Sequence, residues 1–208
     1  MKKLLIAVMG LSLVVTQACT PIGAAVGAGA TVGTAAAREG GVGQAWTDTR
    51  IQAYINDAWF RHNTDMFRKL DLTVREGRVM ITGVVPDQQM RLDAVRLAWQ
   101  APYVRQVINE IRVENSEGIS GYARDSWIQT QLRTKLVFDR EIQSINYSFD
   151  CVGGVVYLMG VARDQEELER VIAHARGISY VKEVVSYVRM RTDTRPDESL
   201  DNSAPAAR

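Results

Sequence analysis

Four side chains among these 208 residues offer the chemistry most often recruited for catalysis or metal binding: Cys19, Cys151, His62 and His174. A metal site needs several ligands at short fixed spacing, and neither CxxC nor HxxxH occurs. The histidines fall at unrelated places with no carboxylate cluster beside them, so surface or half-buried positions are expected for both. The acids of QEELE, starting at Gln165, are most simply one exposed face of a helix. GAGATVG opens no strand-to-helix unit and therefore forms no phosphate cradle. No catalytic residue, metal ligand or cofactor is expected, and the sequence speaks against an enzyme.

The chemistry that remains is aromatic and basic. In RDSWIQTQLRTKL, Ile128, Leu132 and Leu136 recur every four residues and mark the buried stripe of a helix. Trp127 precedes Ile128 by one position, a rotation of about 100° away from it. Arg124, Arg133 and Lys135 lie on or beside the same helix, with only Asp125 against them. An exposed indole keeps its N–H hydrated while its ring enters the boundary of a bilayer. Each base near an anionic surface adds on the order of 1 kcal/mol, so this group suits weak attachment to a negatively charged membrane. The plainer alternatives are that Trp127 packs against a neighbouring domain or sheet edge and that the bases form a solvated face.

These residues sit inside a repeat. A shift of 77 positions lays residues 51–113 over 128–190 without a gap. Ile51 and Gln52 meet Ile128 and Gln129; Gly77 and Val79 meet Gly154 and Val156; Gly83, Val84, Asp87 and Gln88 meet Gly160, Val161, Asp164 and Gln165; Tyr103, Val104 and Val107 meet Tyr180, Val181 and Val184. One domain is used twice. Trp127 falls over Arg50, and a tryptophan required by the fold would not become arginine in a domain of the same plan, which favours exposure.

Each copy opens with a helix, carried by Ile51, Ile55 and Trp59 in the first and capped by Asp125 or Ser126 in the second. Leu70, Leu72 and Val74, like Tyr147, Phe149 and Cys151, alternate as strands do. REGRV and VGGVV supply hairpin turns, and Gly83 and Gly160 permit a close backbone approach in the following strand. A second helix carries Leu92, Val95 and Trp99, or Leu168, Ile172 and Ala175, with Pro86 suited to its first turn. A last strand, YVRQVINEIRV or YVKEVVSYVRM, completes αββαβ. The expected fold is α/β, with two tandem αββαβ sandwich domains at 46–115 and 122–191 in which helices cover one sheet face.

The ends differ from this body. Lys2 and Lys3 precede an apolar run from Leu4 to Val15, and no further charge follows until Arg38. A signal peptide over 1–18 explains the basic start, the apolar length and the small residues before Cys19 together. Residues 19–45 read as a flexible Gly/Ala-rich tether or as a small-residue helix that packs on a partner. Residues 192–208 are too poor in apolar side chains to fold and read as a disordered tail. Cys151 falls on the apolar side of a strand and is expected to be a small buried hydrophobe, which argues against its pairing with Cys19. Composition is that of an ordinary globule, with 46% hydrophobic and 24% charged residues, and a net charge of +1 excludes a broad nucleic-acid footprint.

VVTQAC resembles the lipobox of bacterial lipoproteins, in which the cysteine becomes the acylated first residue of the mature chain. The αββαβ order, the hairpin around Gly154, Val156, Leu158 and Gly160, and the closing YVKEV resemble the BON domain. Two such domains behind a lipoprotein signal resemble the DolP-like family of outer-membrane lipoproteins. The resemblance implies acylation at Cys19 and, from Thr20, residence on the periplasmic face of the outer membrane. It also implies that the second domain binds anionic phospholipid, that the protein concentrates at division sites, and that it supports envelope integrity. It extends the basic patch through RGISYVK to Ile178 and Lys182. The alternative is a scaffold that binds outer-membrane assembly or division proteins through the same face or through the first domain.

Overall fold

The computed structural model describes residues 41–114 and 119–192. The expected signal peptide, Cys19, the tether up to residue 40 and the tail beyond residue 192 lie outside the described residues. In the first domain α1 (Gly41–His62) and the short α2 (Thr64–Lys69) lead into β1 (Leu70–Arg75), β2 (Arg78–Val85), α3 (Gln88–Trp99) and β3 (Gln106–Val113). The second repeats this as α4 (Ile119–Phe138), a 3-10 turn at Ser144–Asn146, β4 (Tyr147–Val152), β5 (Val155–Ala162), α5 (Gln165–Arg176) and β6 (Glu183–Met190). The expected α/β order is observed in both. In each three-stranded sheet the hairpin is antiparallel and the last strand pairs parallel to the middle one, its crossover made by α3 or α5.

The hairpin turns explain the glycines at their tips. Glu76 and Gly77 both have positive φ, as do Gly153 and Gly154, the backbone of the tight turn whose twist matches its strands. Gly160 allows strand contact of a different kind: a Cβ there would stand 2.1 Å from the Asn146 carbonyl oxygen. Asp87 and Asp164 cap α3 and α5 by accepting the amide hydrogens of Met90 and Glu167. Pro86 therefore precedes the cap instead of occupying the first turn.

Several expectations are corrected. α1 begins at Gly41, five residues inside the segment assigned to the tether. Asp125 lies well within α4 and does not cap it. Leu92 and Trp99 are exposed, and α3 instead buries Ala94, Leu97 and Ala98. The reason is Trp59, fully buried on α1, whose indole donates to the Ala94 carbonyl at 3.2 Å. A ring that large needs small residues opposite it. In the second domain the equivalent positions hold Leu136 and Val171, a smaller side chain facing a larger one, so the two cores fill the same space by different divisions of volume.

Helices cover one face of each sheet, and the other face is covered by the other sheet. Met80 and Ile108 pack with Val152, Tyr157 and Met159 across the domain boundary. This buries β2 and β5 on both sides and gives four layers: helices, sheet, sheet, helices. The Tyr187 hydroxyl donates to the Glu110 carboxylate, a residue 77 positions earlier, so one repeat position meets its own counterpart as at a two-fold axis. Around it Arg112 donates to the Val152 carbonyl, and its repeat counterpart Arg189 pairs with Glu76, so each arginine reaches the hairpin end of the other domain.

The Trp59 packing predicts a coupled pair. Trp59→Leu removes buried ring volume and costs about 2–4 kcal/mol, and Ala94→Val overpacks the ring at about 1–3 kcal/mol. The double variant copies the second domain's solution and is expected to lose at least about 1 kcal/mol less than the sum in urea unfolding.

Candidate functional site

The candidate site forms where α4, the β4–β5 turn and the segment before β6 converge. Asp125 is buried on the inner side of α4, and its carboxylate accepts the amide hydrogens of Gly153 at 2.7 Å and Gly154 at 2.9 Å. The turn is held from the other side by Lys182, whose backbone N–H donates to the Gly154 carbonyl and whose Nζ donates to the Gly153 carbonyl, each at 2.8 Å. Between them Tyr180 adopts φ 72°, a left-handed conformation uncommon outside glycine. Its carbonyl lies against Gly154, where a Cβ would stand only 2.8 Å away.

This arrangement throws the Tyr180 ring outward, where it is 63% exposed. Trp127, 43% exposed, meets it edge-on with ring centres 6.0 Å apart. The Arg124 guanidinium stacks over the same ring at 5.0 Å from its centre. Trp127, Tyr180, Arg124 and Lys182 are thus one surface group of two amphipathic rings and two cations.

The expected members distribute unevenly around this group. Trp127 is half exposed, Arg124 flanks it by about 60° of helix rotation, and Lys182 anchors the adjoining turn. Lys135 is exposed about 12 Å further along the axis and adds charge only at a distance. Arg133 is turned roughly 120° from Trp127 and lies over the Phe149 ring at 5.3 Å, outside the group. Ile178 is a correction: it is 5% exposed and packs in the second core, because the end of α5 bends inward there. The surface role of that segment falls to Tyr180. Sequence reasoning had aligned Tyr103 with Tyr180 without placing either at the site, and had missed the clasp. Its signal was present, since the same shift puts Asp48 over Asp125, and Asp48 accepts from Glu76 and Gly77 at 2.9 Å each.

Elsewhere the titratable groups are engaged in structure. His174 pairs with Asp139 at 2.6 Å and His62 with Asp93 at 3.5 Å, each against a single carboxylate. The hydrogen bond from His174 holds the Asp139 carboxyl below its ordinary range. Among the described residues no three metal-ligating side chains cluster, and no helix is long and apolar enough to cross a membrane. Cys151 is a free, buried thiol, as its strand position suggested.

Two αββαβ domains packed sheet against sheet, with aromatic and cationic side chains at the exposed turn, define a tandem α/β-sandwich protein. The BON domain matches residues 44–115 and 124–192, and the chain belongs to the BON-domain family. It is 43% identical over 145 residues to a protein of Anaplasma centrale described as an uncharacterized protein in gshII 5'region, covering 69% of this chain and 95% of that one. It is 31% identical over 110 residues to the outer membrane lipoprotein DolP of Haemophilus influenzae, 52% of this chain and 56% of that one. To the osmotically-inducible protein Y of Escherichia coli it is 26% identical over 147 residues, covering 69% and 72%.

Burial first, and then the Asp125 carboxylate, push the Cys151 thiol up to about 12. In the unfolded chain the thiol ionises near 8.5. Stability linked to this group is therefore complete below about pH 8.5 and declines as pH rises towards 12. In a Cys19→Ser background, Ellman's reagent at pH 8 is expected to modify Cys151 only as fast as the domain opens, since the thiolate is the nucleophile. Asp125→Asn exchanges one of two acceptors for a donor and is expected to cost about 1–3 kcal/mol in urea unfolding, with faster labelling of the thiol.

Proposed function

We propose that this protein is a non-enzymatic lipoprotein of the cell envelope, anchored through acylated Cys19 on the periplasmic face of the outer membrane, whose second BON domain docks on anionic phospholipid. The observation that carries this is the exposed pair Trp127 and Tyr180, flanked by Arg124 and Lys182 on a turn fixed from both sides. Rings of this type settle at the boundary between head groups and acyl chains, while the cations face the phosphates. Two bases supply on the order of 2 kcal/mol together, which is weak in solution. For a chain held at the surface by its own acyl groups it is sufficient, because tethering raises the local concentration to about the millimolar range. Similarity to a named outer membrane lipoprotein supports the envelope assignment. A role at division sites and in envelope integrity belongs to the same proposal.

The test is vesicle co-sedimentation of the chain carrying Cys19→Ser, with and without Trp127→Glu. Comparison of phosphatidylglycerol-containing with neutral vesicles cancels any charge-independent insertion of residues 4–15. The parent is expected to bind anionic vesicles in excess of neutral ones and to lose this with rising salt. Trp127→Glu is expected to weaken binding at least about tenfold while its unfolding free energy stays within about 1 kcal/mol of the parent. Equal binding to both vesicle types, or none, transfers the surface to a protein partner, for which Trp and Arg are also favoured contact residues.

A further inference from the structure

The first domain departs from the second at the position of Trp127, and the surroundings of that departure form a group of their own. Arg50 stands in the place of Trp127, and its guanidinium lies over the Tyr103 ring at 5.7 Å. Tyr103 is the counterpart of Tyr180 in every respect that the backbone records: φ is 71°, and its carbonyl would stand 2.8 Å from a Cβ at Gly77. Arg105, at the position of Lys182, donates its backbone N–H to the Gly77 carbonyl at 2.8 Å. The tryptophan missing from this face is supplied one helical turn earlier. Trp46, Arg50 and Tyr54 recur every four residues and so stack along one face of α1. Trp46 is 63% exposed, Tyr54 45% and Tyr103 61%.

We propose that Trp46, Arg50, Tyr54 and Tyr103 form a second docking surface for an anionic bilayer, on the first domain, an inference that rests on the membrane attachment proposed above. Its composition is that of the second-domain surface with the positions of ring and cation exchanged. The occupant follows from charge and from the chain that leads to it. The rings are interspersed with arginine, and the two acids of α1 are both engaged: Asp48 spends both carboxylate oxygens on the turn amides of Glu76 and Gly77, and Asp57, one turn beyond Tyr54, pairs with Arg61 at 2.9 Å. Trp46 also lies close to the start of α1 at Gly41, only 22 residues beyond Cys19, so even full extension keeps that end of the helix within about 75 Å of an acyl anchor.

The two surfaces are independent. Arg112 reaches the Val152 carbonyl and Arg189 reaches Glu76, so the hairpin turn of each domain lies beside the far end of the other domain's last strand. The tyrosine loops therefore stand at opposite ends of the eight-residue middle strands, roughly 25 Å apart. Substitutions at one surface should leave the other intact, and their effects on binding free energy should add.

The test uses the chain with Cys19→Ser and an environment-sensitive NBD probe on Ala53→Cys, an exposed small residue beside Tyr54 on the same side of α1. On vesicles containing phosphatidylglycerol, but not on neutral ones, probe emission is expected to rise and shift to the blue, and to do so still when Trp127→Glu is added. In the unlabelled chain, Trp46→Ser with Arg50→Glu is expected to weaken anionic-vesicle binding about tenfold with an unchanged far-ultraviolet dichroism spectrum, and the combination with Trp127→Glu to abolish it. A probe that stays silent while Trp127→Glu alone abolishes binding overturns this inference and leaves the second-domain surface standing. A shift of equal size on neutral vesicles also overturns it. Absence of anionic-vesicle binding by every version overturns both proposals.

Discussion

Each domain is organised by one carboxylate on its opening helix, buried in the second domain and half-buried in the first, that accepts two amide hydrogens from the hairpin turn. A tight turn with two residues at positive φ presents its amides outward, and in a folded interior those amides must find acceptors. Asp125 and Asp48 provide both from a single side chain. The consequence is geometric as well as energetic. The helix cannot slide or rotate against the hairpin without breaking two bonds at once, so the residues beside the aspartate acquire fixed positions relative to the turn. Arg124 and Trp127 flank Asp125 in sequence, and their meeting with Tyr180 follows from that anchoring.

The pairing of two domains answers a second constraint. A three-stranded sheet has two faces, and two helices bury only one. The uncovered faces carry Met80 and Ile108 in the first domain and Tyr157 and Met159 in the second, which alone would be apolar patches in contact with water. Packing sheet on sheet removes them, and the polar groups caught between are matched. Thr82 donates its hydroxyl to Asp150, which also accepts from Gln129 at 2.9 Å and from the Cys151 amide at 2.8 Å. Arg75 reaches Ser148 at 2.9 Å. These bonds are not repeated symmetrically, since Met159 stands where the first domain has Thr82. The apolar contact follows the two-fold relation, while the hydrogen bonds single out which domain faces which.

Much of this was legible in the sequence. Periodicity located the helices and strands, and the repeat fixed their order because two weak patterns in register reinforce each other. The α3 stripe failed at two of its three positions for a physical reason: Leu92, Val95 and Trp99 fit a helical period and Val95 does pack on the core, but the volume of Trp59 selected the alanines on the adjacent face and left Leu92 and Trp99 exposed, and a window within α3 carries no trace of Trp59. Ile178 was placed at the surface by the family resemblance, whereas the bend after α5 turns it into the core. The sheet-to-sheet packing left only a faint signal, namely that β2 and β5 are apolar on both alternations. The clasp was visible as Asp48 over Asp125, and became meaningful only once the turn amides needed partners.

The retained tyrosines explain how the two domains could diverge at the site without losing it. Tyr103 and Tyr180 hold a backbone conformation that costs a non-glycine residue on the order of 1 kcal/mol or more, and in both domains the residue two positions on, Arg105 or Lys182, donates its backbone N–H to the turn glycine and holds the loop there. The ring is thereby fixed outward on each domain as a platform. What lies on the platform is free to vary, because an arginine stacks on its face and a tryptophan meets its edge with comparable stabilisation of about 1 kcal/mol. Arg50 and Trp127 are two such choices at one repeat position. The fold therefore constrains the tyrosine and leaves its companion open, which lets a duplicated domain change the balance of charge and apolar surface it presents while its core and turn stay as they were.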